Sequence, residues 1–251
     1  MNRSGIRMLK LAGALPALAV AAVLALPPAL AAPAASANPG VFPPNSKPYG
    51  KTYGEWAVAY WQWAMSIPTA DNPWYNDPDG ANSANGQSGP VWFLGGTAGG
   101  SVTRDVTIPA GKSVLLPVHQ WIFGSMAFDC DPSVPGVACD VPTLQASAAF
   151  AAEAVSVMDV TIDGKSISNV ANYRALSPGA FSVTVPGGTD NFVGFSGGPL
   201  VAAGTYSPHV ADGYYLILAS LSAGQHTIML HVESTLGFDY DHTYNITVSA
   251  P

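Results

Sequence analysis

Tyr214-Tyr-Leu-Ile-Leu218, Gly224-Gln-His-Thr-Ile228-Met-Leu-His-Val232-Glu233 and Tyr244-Asn-Ile-Thr-Val248 decide the fold. In the second stretch Ile228, Leu230 and Val232 fall on one side of a strand, and in the third Tyr244, Ile246 and Val248 do the same. That period of two marks half-buried strands of a sheet with one wet face. Tyr214 to Leu218 is apolar throughout, which places it centrally, covered on both faces. Leu221-Ser-Ala-Gly224 then supplies the turn of a hairpin entering the closing strands of a β-sandwich, immunoglobulin-like or jelly-roll.

Upstream, further strands read at Val91 to Leu94, Val102 to Ile108, Ser113 to Val118, Val160 to Ile162 and Phe181 to Val185. Turns such as Pro109-Ala-Gly111 and Asp163-Gly164 separate them. Two helices interrupt the pattern. Thr52-Tyr-Gly-Glu55 fits a capping box, and Pro68 stops the helix near Ser66 or Ile67. Its rings, Tyr53, Trp56, Tyr60, Trp61 and Trp63, surround the helix on most sides, as a buried helix requires. Pro142 opens the second, whose Ala-rich run from Leu144 to Val157, with Phe150 and Val155, is expected to pack on the sheet.

The first 37 residues read as an export signal. Arg3, Arg7 and Lys10 precede an apolar run from Leu11 to Leu26, and Ala35-Ser-Ala37 is a small-residue cleavage site. The run is too short, and too soon followed by Pro27 and Pro28, for a spanning helix of about 20 apolar residues. The expected product is secreted or periplasmic and not transmembrane once the signal is cleaved. A Pro-rich leader covers residues 38–51 and one sandwich domain residues 52–251; removing 37 residues from 251 leaves 214, enough for a single core.

Three of the nine Lys and Arg leave with the signal, so six cations face sixteen acids in the remainder. Nucleic acid and anionic membrane surfaces, which demand a basic face, are thereby disfavoured as partners. Most of the thirteen Asp stand beside Gly, Pro, Asn or Ser, where the side chain bonds the local backbone. Cys130 and Cys139 are the whole cysteine complement. An even count in an exported chain implies a disulfide, and closing so short a ring removes about 2.5 to 3 kcal/mol of unfolded-chain entropy.

Tyr53-Gly-Glu-Trp56 with Trp61-Gln-Trp63, Gly89-Pro-Val-Trp-Phe-Leu94, Ile108-Pro-Ala-Gly-Lys112, and Ala211-Asp-Gly-Tyr-Tyr215 with Gly224-Gln-His-Thr-Ile228 resemble a family of exported bacterial proteins of unassigned function. The resemblance spans most of the mature chain and implies export and a bacterial source. It carries no catalytic residue. Members of that family have additional cysteines near Gly-Pro-Val-Trp that this chain lacks, so their disulfide pattern does not transfer.

Several constellations bear on chemistry. Gly194-Phe-Ser196-Gly-Gly-Pro199 looks like the nucleophile signature of chymotrypsin-like proteases, but Phe195 replaces the Asp and His119 lacks the family's histidine context. Asp77-Pro-Asp79-Gly80-Ala-Asn82 alternates oxygen ligands around a Gly, which suggests a Ca2+ loop, yet it departs from the EF-hand and reads first as a plain Asx-rich turn. His231, Glu233, Asp239, Asp241 and His242 gather at the C-terminal end. There His231 and Glu233 face away from the apolar set, and the Ser234 to Gly237 turn brings Asp239 and Asp241 alongside, an acid–base or divalent-metal candidate. Arg104 falls on the apolar face of its strand, where a guanidinium must lie at a strand end or be paired, with an Asp or with an acidic ligand group; Arg174 is read the same way, first as an ion-pair partner.

No nucleotide, haem or flavin motif occurs, which leaves Ca2+ as the cofactor candidate. The long Asx-rich loop from Asp71 to Pro90 carries Trp74, Tyr75 and Asn76 near its start, rings to stack on sugars beside groups that bond hydroxyls. With Arg104, these are the expected ligand contacts of a β-sandwich that binds an extracellular glycan or cell-surface polymer. A secreted hydrolase or lyase acting on a polysaccharide or ester, and a structural surface protein, are the alternatives.

Overall fold

The computed structural model describes residues 40–75, 77–97, 99–125, 140–186 and 202–250. The expected export signal, Asn76, the expected Cys130–Cys139 disulfide and the Ser196 motif lie outside the described residues. The chain is mainly β, with two helices and two packed sheets in a sandwich. One sheet has four strands in the order β1-β3-β7-β6: β1 Val91–Phe93, β3 Ser113–Gly124, β7 Gly204–Leu218 and β6 Phe181–Val185. The other has five in the order β2-β9-β8-β4-β5: β2 Val102–Ile108, β9 Asp239–Val248, β8 Gly224–Ser234, β4 Val155–Ile162 and β5 Lys165–Ser166. Pairing is antiparallel except for β1 with β3 and β2 with β9.

The alternation seen in sequence is the alternation found. Ile228, Leu230, Val232, Tyr244, Ile246 and Val248 are all buried, and Tyr214 to Leu218, in a central strand, is buried along its length. β3 and β7 are both longer than the apolar runs suggest, and they pair from Val114↔Leu218 to Gly124↔His209 with a bulge between Pro117 and His119. Helix α1 (Tyr53–Ser66) lies against β6 and β7. Its capping box forms as read: the Thr52 hydroxyl accepts from the Glu55 amide and the Thr52 amide donates to the Glu55 carboxylate. Trp56, Tyr60, Trp61 and Trp63 are buried, and the Trp61 indole donates to the Tyr215 hydroxyl at 3.1 Å.

Helix α2 (Val141–Glu153) is capped by Asp140, packs on β3 and β7, and ends four residues before the expected Val157. Ala154 closes it and β4 begins at once, because Val155 and Val157 belong to an extended β-branched run that pairs with β8. Phe150 is a correction to the expectation that it packs on the sheet: it points outward and is 67 % exposed, while Leu144, Ala148, Ala151 and Ala152 face the sheet.

Candidate binding site: an aromatic groove and the polar network behind it

The Asx-rich loop is built differently from its expected role. Asn72 is fully buried; its amide nitrogen donates to the Ala64 and Ile67 carbonyls at the end of α1, and its Oδ1 accepts from the Trp74 amide. This one side chain caps the helix and turns the next residues inward. Trp74, expected to be an exposed stacking ring, is buried and lies 5.9 Å from Trp61 ring to ring. Tyr75 stays partly exposed. The loop also folds back on α1, where the Trp63 indole donates to the Asn85 carbonyl.

Asp77 and Asp79 serve as turn residues. Asp77 Oδ1 accepts from the Asn82 amide at 2.7 Å and Asp79 Oδ1 from the Ala81 amide at 3.1 Å, while the Asp79 carbonyl accepts from Asp105 and so covers the outer edge of β2. Among the described residues, no three His, Cys, Asp or Glu side chains are arranged to hold a metal. A positive charge already stands at this loop. Arg104, fully buried on β2, donates to the Asp77, Gly95 and Gly96 carbonyls. The expected partner for Arg104, a carboxylate or an acidic ligand, is corrected: three carbonyls left over by non-strand segments satisfy it, and the guanidinium is closed to solvent. Arg174 does form its ion pairs, with Asp212 through two nitrogens and with Glu153.

The C-terminal cluster divides between two faces of its sheet. Register sets His231 opposite Asp241 and Glu233 opposite Asp239, all on the outer face as expected. His231 Nδ1 lies 3.0 Å from Asp241 and Nε2 3.2 Å from Glu233, so the two carboxylates sit on opposite sides of the ring. They raise the imidazole pKa, Glu233 more than Asp241, and so favour its charged form. Donors that diverge from one ring do not converge on a substrate or ion. His242 is a correction to the grouping: it points inward and is buried.

That inward side holds a connected polar network. The Trp121 indole N–H donates to His119 Nε2 at 2.9 Å, which puts the ring hydrogen on Nδ1. Nδ1 in turn faces the Tyr240 hydroxyl at 3.2 Å, and Tyr240 donates to the Val118 carbonyl at the β3 bulge. His242 stacks on Tyr240 with ring centroids 4.7 Å apart and bonds Thr97 through Nε2. Burial lowers the His119 pKa, and burial together with the Arg104 charge pushes His242 down to about 3. Both imidazoles are neutral around pH 7, and for His119 the bond accepted from Trp121 requires it.

The network ends at a surface groove of about 610 Å³. One wall is Trp121 and Phe123 of β3; the other is the α2 stripe Thr143, Ala146, Ser147, Phe150 and Ala151; Leu236, of the β8–β9 turn, stands at the rim. Trp121 lies edge-on against Phe238 at 5.2 Å and against His119 at 5.7 Å, so its plane is fixed from two sides. No residue of this groove was a sequence candidate. Reading β3 on past Val118 would have put Trp121 and Phe123, two apart, on one face, but the opposing wall depends on where α2 docks.

Comparison of the chain with protein-family models, with curated proteins and with solved structures gives no match.

Proposed function

We propose that the protein is an exported binding module for an extracellular glycan or cell-surface polymer, and that the Trp121 groove is its binding site. The observation that carries the reading is the immobilised indole. Its N–H is consumed internally by His119, so what Trp121 offers a ligand is a ring face, flanked by Phe123 and Phe150 and by the Thr143 and Ser147 hydroxyls of α2. A flat apolar face beside hydroxyls suits the C–H face of a sugar ring, and a pre-set ring loses little entropy on binding. Export is inferred from the leader and from the family resemblance. Among the described residues no helix is long and apolar enough to cross a membrane.

The test is retention of the purified protein on insoluble polysaccharides and cell-wall preparations. Trp121→Ala should lower affinity tenfold or more, about 1.4 kcal/mol, in a protein that circular dichroism shows is still folded. Equal retention by a folded Trp121→Ala, Phe150→Ala double variant would remove the groove from consideration.

A further inference from the structure

Away from the groove, three residues from separate elements meet in a line. Ser222 lies in the β7–β8 connection, His226 near the start of β8, and Asp163 in the β4–β5 turn. Ser222 Oγ is 3.2 Å from His226 Nε2, and His226 Nδ1 is 2.8 Å from Asp163 Oδ2. The other Asp163 oxygen accepts from the Thr227 amide at 2.9 Å, so the carboxylate is fixed from both ends. The serine is positioned as well: Ser220 Oγ donates to the Gly111 carbonyl, the Ala219 amide to Gly40, and Leu221 packs on the core.

We propose that Ser222, His226 and Asp163 form a nucleophilic triad that cleaves carboxylic esters carrying a small acyl group. Nucleophile, base and orienting carboxylate stand at the separations this chemistry uses, and a triad is recognised by geometry and role rather than chain order. With its hydrogen on Nδ1 toward Asp163, His226 presents the Nε2 lone pair to the Ser222 hydroxyl. The same nitrogen lies 3.0 Å from the Ser222 carbonyl. Once Nε2 has taken the hydroxyl proton, that carbonyl accepts its new N–H while Asp163 holds the other, so the imidazolium is bonded on both sides.

Ser222 Oγ adds to the ester carbonyl as its proton passes to Nε2, and the carbonyl electron pair moves onto oxygen. Collapse breaks the bond to the alcohol, which leaves with the Nε2 proton. Water then adds to the acyl-serine, giving a proton to Nε2; collapse releases the carboxylic acid and returns that proton to Oγ. The net change is ester and water to acid and alcohol. Ser222 is exposed at a turn, so the ester must present its carbonyl from solvent, which fits a short acyl group on a small alcohol or a polymer. None of these residues lines the Trp121 groove, and the proposal stands or falls apart from it.

The experiment is reaction of the purified protein with a fluorophosphonate, with the adduct located by peptide mass mapping, beside hydrolysis of p-nitrophenyl acetate. The expected adduct is on Ser222, and Ser222→Ala should abolish both signals. His226→Gln and Asp163→Asn should each slow labelling by about 100-fold or more while the melt is retained. The groups facing His226 are Asp163 and Ser222, with Lys165 acting on Asp163; the β9 residue opposite, Ile246, is uncharged. Asp163 raises the His226 pKa, so wild-type labelling should climb through a midpoint above the ordinary histidine value. Absence of a Ser222 adduct, labelling that persists in Ser222→Ala, or a rate independent of pH in the wild type would each overturn the proposal, even if a His226 variant failed to fold.

Discussion

Acid should destabilise this protein well before its carboxylates titrate, because its interior holds histidines neutral. His242 is pushed down to about 3 by burial and the nearby Arg104 charge, His209 to about 4 by burial, and His119 is lowered as well. In the unfolded chain each titrates near 6.5. Their folded pKa values lie below the unfolded ones, so their contribution is present above about pH 6.5 and is lost as pH falls through the window down to about 4. Around pH 5 the unfolded state binds about two more protons from His242 and His209 alone, a slope that approaches about 2.7 kcal/mol per pH unit. Between pH 6.5 and 5, where unfolded-state protonation rises from half to nearly complete, the loss is about 3 kcal/mol, against a usual total of about 5 to 15. His226 and His231 have raised pKa values, so their stabilisation is complete below 6.5 and does not change in this window. Glu55, Asp140 and Asp163, held low by their hydrogen bonds, lose their contribution only below the ordinary carboxylate pKa. Asp77, raised by burial, takes up its proton while folded and offsets part of the loss near the acid end. Urea unfolding at pH 7.5, 6.5, 5.5 and 5.0 gives the slope directly. His209→Phe provides the internal control, since it removes one buried titrating ring, and the variant should shed about one proton of the slope. A stability that moves by less than about 1 kcal/mol from pH 6.5 to 5, or a slope unchanged in His209→Phe, would refute the reasoning.

Two further substitutions test the interior. Arg104→Lys keeps the charge but cannot reach three carbonyls on one planar fork; with one or two of them left unbonded, chemical denaturation should show a loss of about 2 to 4 kcal/mol. Asn72→Ala removes two bonds to the end of α1 and one from the Trp74 amide, and should cost about 2 to 3 kcal/mol by the same assay, with Trp74 fluorescence shifting red as the loop releases.

What sequence conveys here divides along a physical line. Period-two alternation is set by the pleat itself, so the inward sets of β8 and β9, and the double burial of Tyr214 to Leu218, were legible from residue type alone. The Thr52–Glu55 capping box was legible because its partners lie three residues apart. Arg104 was read correctly as buried and wrongly as carboxylate-bound, because backbone carbonyls accept as well as carboxylates and have no letter in the sequence. Trp74 looked exposed because its loop is polar; the inward turn comes from one buried Asn72 amide whose partners are carbonyls on a helix eight and five residues back. His242 was grouped with Asp241 by adjacency, although neighbours on a strand face opposite ways. The end of α2 was misplaced because Ala and Glu favour helix up to the point where Val155 and Val157 pair with β8.

The groove and its backing network explain each other. An indole N–H next to a sheet interior must be bonded, and on this strand the acceptor is His119 Nε2, two residues back. That bond needs a neutral imidazole, and burial supplies one by making the charged form costly. The Nδ1 hydrogen then needs an acceptor, which Tyr240 provides while its own hydroxyl closes on the carbonyl freed by the β3 bulge. Each donor of the network is thus answered by an acceptor from β3 itself or from β9 of the facing sheet, and the chain ends where Trp121 meets solvent. Were the indole held only by apolar contact, His119 could be exchanged for Leu at little cost to Trp121. Because a bond fixes it, that exchange should leave the N–H unpaired and turn the ring that forms the groove wall.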